Sequence, residues 1–453
     1  MLPVSRDVKL KCKRMITPSP LGLAWGCALL FTLAVRCSLA ADDATQNEIR
    51  ELRRENRFLR ERLDKQQVLI ESLSAKVTAI ERTQQRGEDA PADPMRQSLA
   101  QKITAATKLN ISGQIAAGFF DTGSKGMFPN GEFRLDDTRL MFEAQAFENV
   151  YGFIGLNVMT REAYDDAVRI GEVYMDFERL LKWRGLDSLI NIRVGRFYTP
   201  YGEEYLVRYP MDNPLISHSL SDFWGYDTGI GLFGSHGPLE YVIAVQNGGL
   251  SVTRDFTSDK LVAGRLAYQP LHWLRISGSG MRTGHLSTQN DPLSSMWFGN
   301  AFFRSLGPAA TTTRYHANLA EGDVQFLWPR GHLKLAGGGI SYDDNDSAAN
   351  NGREIFYYYA EGMLRFTKQF YGAARFSQIL ADDGFPIVGH GTWGEYFYTK
   401  LTDNLWRMSL GLGYTPNPNL VLKVEYAIER GSTVGQGDRE HEDFFGAQAA
   451  LRF

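Results

Sequence analysis

Cysteine is nearly missing. Three occur in 453 residues, Cys12, Cys27 and Cys37, and all lie within the first 40. A chain trimmed behind them would carry no thiol, which suits export through an oxidising compartment. Long apolar runs are missing too. Only Leu21 to Val35 is continuous enough to draw notice, and it is short for a spanning helix. Charge of one sign is also lacking. Lys and Arg total 49 against 52 Asp and Glu, so no basic excess points to nucleic acid. Three chemical signatures are absent: Cys-x-x-Cys-His, Gly-x-Ser-x-Gly and His-Glu-x-x-His. Their absence argues against haem attachment in this chain and against the commonest hydrolase layouts, and no cofactor is expected.

The N-terminus reads as an export signal. Arg6, Lys9, Lys11, Lys13 and Arg14 precede the apolar run, and Ser38-Leu39-Ala40 supplies small residues for cleavage. Residues 1–40 are therefore assigned to a signal peptide. Residues 46–86 are of another kind, charged and free of Gly and Pro. Counted from Ile49, the a positions are Ile49, Asn56, Leu63, Ile70 and Val77, and the d positions are Leu52, Leu59, Gln66, Leu73 and Ile80. That spacing predicts an α-helical coiled coil. Gly87, Pro91 and Pro94 end it, so residues 87–101 read as a linker.

From residue 102 to 453 the period changes to two. In Leu420–Arg430 the apolar set is Leu420, Leu422, Val424, Tyr426 and Ile428, with Lys423, Glu425 and Glu429 between. Alternate residues of a strand face opposite ways, so one face is oily and the other charged. Similar alternation runs through 109–120, 139–146, 150–159, 169–177, 189–197, 355–366, 370–380, 405–414 and 444–453, with fainter candidates between. About sixteen strands result, an even number within the range of single-chain transmembrane barrels.

The connections sort themselves. Short turns sit at Glu148-Asn149, Ser235-His236-Gly237-Pro238, Gln269-Pro270, Pro329-Arg330-Gly331, Lys368-Gln369 and Pro416-Asn417-Pro418-Asn419. Long loops lie between them, and only 178–187 is long where a short turn is due. Outer-membrane barrels have short periplasmic turns and long outer loops. The fold expected is all-β transmembrane: a sixteen-stranded antiparallel β-barrel with an N-terminal α-helical coiled coil in the periplasm. Outer-membrane lipid would be its solvent, and the coiled coil would offer a surface to a periplasmic partner. Aromatic clusters such as Tyr357-Tyr358-Tyr359, Tyr396-Phe397-Tyr398 and Trp406 are assigned to the girdles at the lipid boundary.

Basic side chains expected to face the lumen are Arg139, Arg193, Arg365, Arg375, Arg407, Lys423 and Arg452, with Arg196 beside them. Acidic Glu143, Glu172, Asp176, Glu361 and Glu425 share that face, so cross-strand pairing competes with a role in selectivity. The histidines are scattered and mostly in loops, and a lone loop histidine is usually just solvated. The acidic runs Asp343-Asp344-Asn345-Asp346 and Asp382-Asp383 match no complete calcium loop, and no metal site is expected.

The last strand, ending in Phe453, resembles the terminal strand of Gram-negative outer-membrane proteins. In those proteins the final aromatic is read by the assembly machinery. The run Val194-Gly195-Arg196-Phe197-Tyr198-Thr199-Pro200-Tyr201-Gly202-Glu203-Glu204 resembles the porin O and P type, the phosphate-selective porins. That resemblance implies a homotrimer with the third loop folded into the pore. Here the loop would be 198–227, carrying Glu203, Glu204, Arg208, Asp212, His218 and Asp222 as constriction residues. The function implied is passive diffusion of small hydrophilic solutes or ions, with a preference for anions. The rival reading is a barrel sheathing a periplasmic multihaem cytochrome in an electron conduit. An outer-membrane hydrolase is a third reading, disfavoured by the missing motifs.

Overall fold

The computed structural model describes residues 108–159, 168–181, 188–223, 225–248, 258–287, 312–346, 351–397, 399–435 and 437–453. The signal peptide, coiled coil and linker lie outside the described residues. Sixteen strands make the wall: β1 Lys108–Thr122, β2 Glu132–Phe147, β3 Val150–Met159, β4 Arg169–Phe177, β5 Asn191–Tyr198, β6 Tyr226–His236, β7 Leu239–Gln246, β8 Leu261–Leu271, β9 Leu274–Arg282, β10 Arg314–Trp328, β11 Gly331–Asp344, β12 Arg353–Arg365, β13 Phe370–Phe385, β14 Thr402–Asn417, β15 Leu420–Thr433 and β16 Phe444–Arg452. Two short pieces, Leu286–Ser287 and Gly437–Arg439, add to its rim. Each strand is antiparallel to the next, and β1 pairs with β16, so the sheet closes. Closure leaves no unpaired edge, which is what a hydrocarbon solvent demands of a sheet.

Alternation sets the two faces. On β15, Leu422, Val424, Tyr426 and Ile428 are exposed, while Val421, Lys423, Glu425, Ala427 and Glu429 are buried inward. On β16, Phe445 and Leu451 point out, and Phe444, Gln448 and Ala450 point in. β2 switches faces halfway. Phe133 and Leu135 point out before Asp137, whose φ is +35°; from Leu140 onward the even residues share the outer face of Ile111 and Ile154.

Aromatics ring both ends of the outer face. Near the short turns lie Phe147, the Trp273–Phe326 stack, the Phe370–Tyr414 stack and Phe453. Toward the long loops lie Phe119–Phe133 and the Tyr358–Phe376–Trp406 group. The girdle assignment needs correcting for neighbours. Only Tyr358 of the 357–359 triplet points out; Tyr357 and Tyr359 are buried inside. Tyr396 and Phe397 belong to a helical turn, Trp393–Tyr396, and its buried flank in the loop after β13.

The loop sorting appears as expected, with small shifts: Ser235, His236 and Gly331 are paired strand residues, and one turn moves. The turn after β8 is at His272-Trp273, between paired Leu271 and Leu274. Gln269-Pro270 is absorbed into an irregularity of the strand, because a bulge tolerates the missing proline N–H. Connections 123–131, 199–225, 247–260, 283–313, 345–352, 386–401 and 434–443 all leave from the opposite end.

Candidate functional site: a strap across the lumen

The connection between β5 and β6, residues 199–225, does not stay at the rim. Two glycines launch it. Gly195 has φ +139°, and a Cβ there would sit 2.3 Å from the Val173 carbonyl oxygen. Gly202 has φ +71°, and a Cβ would sit 2.5 Å from Glu321 Oε1. Only glycine takes both conformations without strain, so the run 194–204 encodes an inward turn. Tyr201 Oη then meets Tyr357 Oη of β12 at 2.8 Å, and the Gly202 N–H donates to Ser279 Oγ of β9 at 3.0 Å. Glu203 lies 3.2 Å from both Arg265 of β8 and Arg275 of β9.

The strap next meets Arg139 of β2, whose guanidinium carbon lies 3.3 Å from the centroid of the Tyr209 ring. It ends against β13 to β16. In a ring of sixteen, β13 stands eight strands from β5, so the strap crosses the lumen to the far wall. There, Arg375 Nη1 donates to the Ser217 carbonyl at 2.7 Å, and Arg375 Nη2 to Asn213 Oδ1 at 2.9 Å. Arg407 Nη1 donates to the His218 carbonyl at 3.0 Å. Lys423 Nζ donates to the carbonyls of Pro210, Asn213 and Leu215 at 2.9, 3.3 and 2.8 Å. Glu425 Oε2 accepts the N–H groups of Ile216 and Ser217 at 2.5 and 2.8 Å. Arg452 pairs with Asp212 at 2.5 Å.

An irregular segment held in a closed space has carbonyls and amides that no ladder satisfies, and each orphan costs about 1–3 kcal/mol. The wall charges supply those partners. They are held in turn: Arg375 by Glu361, which also receives His332 at 2.8 Å, and Arg407 by Glu429 at 2.6 Å. Within the strap, Arg208 pairs with Asp222 at 2.7 Å. His218 Nε2 donates to the Arg208 carbonyl at 2.8 Å, and Glu204 accepts the Ser219 N–H at 2.8 Å.

The remaining sequence candidates divide. Arg193 is neutralised by a bidentate pair with Asp176, both contacts at 2.7 Å. Arg196 donates to the Gly171 carbonyl at 3.0 Å. Arg365 lies 5.8 Å from the Tyr371 ring. Phe453 exchanges backbone hydrogen bonds of 3.0 Å with Gly113, and its ring is exposed. The acidic run after β11 is used structurally: Asp344 accepts from Thr312 and Asn351 at 2.6 and 3.0 Å.

Apolar packing backs the polar pins, and the sequence did not announce it. Tyr201, Leu220 and Phe223 join a core with Leu261, Tyr315 and Ile355 on the inner wall. Nor does the sequence mark Arg265 and Arg275, which hold Glu203. Both lie on strands whose alternation is faint.

A closed barrel, oily outside and crossed inside by an infolded loop, defines the architecture of porin-type transmembrane channels. Comparison with solved structures agrees at the level of fold. The outer membrane channel DcaP of Acinetobacter baumannii aligns with a TM-score of 0.54 at 11% identity, over 77% of this chain and 98% of that one. The trimer form of OmpT, an outer membrane protein of Vibrio cholerae, aligns at 0.51 and 11%, over 77% and 100%. An anion-selective porin from Comamonas acidovorans aligns at 0.51 and 8%, over 76% and 99%. No protein-family model matches this chain, and no curated protein does.

Proposed function

We propose that this protein is an outer-membrane porin, a passive channel for small hydrophilic solutes with a preference for anions. The strap that crosses the lumen is the observation that carries the reading, since a loop narrowing a wet pore makes nearby charges act strongly. The anion preference rests on Arg139 and Arg365. Neither side chain makes a hydrogen bond or ion pair among the described residues, and each lies near a tyrosine ring on the strap or its anchoring wall. Selectivity for phosphate in particular has the 194–204 run in its favour and the engagement of Lys423, Arg375 and Arg407 against it.

Three further parts belong to the proposal. Residues 1–40 are removed on export, residues 46–86 form a coiled coil in the periplasm, and three copies assemble. A cytochrome threaded through the lumen has no support here, because the strap lies across its path. Reversal potentials across a planar bilayer in a salt gradient test the reading. A sign reporting anions is expected. A cation sign would remove the anion preference, and a protein that conducts nothing would remove the channel.

A further inference from the structure

We infer that Lys423 and Glu425 are positioning residues that set the aperture of the pore and do not select ions. The inference rests on the porin reading for its functional consequence, while its structural half stands alone. An ammonium has three protons, and Lys423 directs Nζ at three carbonyls of the strap, those of Pro210, Asn213 and Leu215. The side chain is buried, so no proton remains to greet an ion in the lumen. Two residues on, Glu425 faces the same way. One oxygen takes the Ile216 and Ser217 amides, and the other takes the Ser217 hydroxyl. A cation thus collects carbonyls and an anion collects amides from one eight-residue stretch, 210–217.

The seat is shaped as well as charged. Tyr371 Oη donates to the Pro214 carbonyl at 3.2 Å. Leu215 packs among Tyr371, Ala373 and Val421, and a Cβ on Gly411 would stand 2.5 Å from its Cδ2. Truncating Lys423 to alanine would empty the centre of an all-oxygen cage while leaving its walls. A primary ammonium of the lost length, n-propylammonium, carries the same three donors.

The test is Lys423→Ala in the full-length protein, reconstituted in planar bilayers. Single-channel conductance should rise about twofold and grow noisy as the strap loosens, with the reversal potential nearly unchanged. n-Propylammonium should bring conductance back toward the wild-type level, and tetramethylammonium, which has no N–H, should not. An unchanged conductance with a reversal potential shifted toward cations would overturn the inference and make Lys423 a selectivity residue. If the alanine variant does not assemble, Glu425→Gln keeps the shape and weakens the acceptor. Hydrogen exchange in detergent micelles then reads the Ile216 and Ser217 amides, which should exchange about tenfold faster than in the parent. Equal exchange in parent and variant would also overturn it. That readout needs no conductance, so a failed pin and a failed channel are told apart.

Discussion

Val424→Arg tests which solvent the outer wall meets. Val424 is 46% exposed on β15, between Leu422 and Tyr426 on its own strand and beside Leu412 and Ala447 on its neighbours. It lies four residues from Leu420, which borders the short turn. At about 3.3 Å per residue on a strand tilted about 40°, that is roughly 10 Å above the barrel's end. An apolar band of about 25 Å would then have Val424 near its middle. Arginine on the lipid face at that depth costs about 2–4 kcal/mol, whereas an exposed site in water tolerates the change within about 0.5 kcal/mol. The partner measurement is Glu143→Arg. Glu143 is exposed on the inner face of β2, where lumen water would solvate either charge, so that change should be nearly neutral. Reversible unfolding of the barrel from lipid vesicles in guanidinium, followed by tryptophan fluorescence, reports both. A Val424→Arg barrel with the parent's midpoint would refute a lipid-facing wall, and with it the channel.

Other consequences follow from single positions. Arg139→Gln removes a lumenal guanidinium that makes no hydrogen bond or ion pair among the described residues, so the reversal potential should move toward cations by a measurable amount while the midpoint of unfolding shifts little; no movement would strip Arg139 of its proposed role. Gly411→Val drives a side chain into Leu215, and overpacking of this kind costs about 1–3 kcal/mol, so the strap's anchor should lift and conductance should rise. Gly322 faces out from β10 with an ordinary φ and nothing within 4 Å of an added Cβ, so Gly322→Ala should stabilise by about 0.4–1 kcal/mol, read as a later midpoint. In the rim loop after β15, burial raises the Asp443 carboxyl, but hydrogen bonds from Arg430, the Glu429 amide and Tyr426, with the Arg430 charge, together outweigh that and hold it below the ordinary carboxylate range. A depressed carboxylate stabilises above its unfolded value, about 3.9, and the gain is lost as pH falls through the folded one. Cleavage of residues 437–441 by an acid protease should therefore climb as pH drops from about 5 to about 3, and Asp443→Asn should be cut readily at both.

Strand count and loop sorting were legible because β15 and β16 keep one face for lipid and the other for charge, so the alternation survives in the letters. β8 to β11 were faint for a physical reason. Their inner positions near the long loops, among them Leu261, Met281, Leu319 and Ile340, are apolar too, because they pack in the core shared with the strap. A strand buried on one side and lipid-bathed on the other loses its period, much as a strand covered on both faces does. The triplet Tyr357-Tyr358-Tyr359 carries that ambiguity in three letters: one ring meets lipid and two meet the core or the strap's tyrosine.

The inward charges were legible as well, but not what they hold. Arg375, Arg407, Lys423 and Glu425 could be placed on the inner face by parity alone, and a ladder of cations invites a reading in terms of passing anions. Most of their partners on the strap are backbone carbonyls and amides of Pro210 to His218, and a backbone group leaves no letter in a sequence. The distinction is physical. A buried charge whose hydrogen bonds are spent on a fixed loop and on neighbouring wall carboxylates has already exchanged water for protein, and removing its partner leaves it stranded at a cost of about 3–5 kcal/mol. Such a group resists further exchange with a transient ion. A cation resting on an aromatic face, with no acceptor taken, remains free to trade its water for a solute. By that criterion the proposed anion preference would fall to Arg139 and Arg365, whereas the charges of β13 to β15 are engaged with the strap.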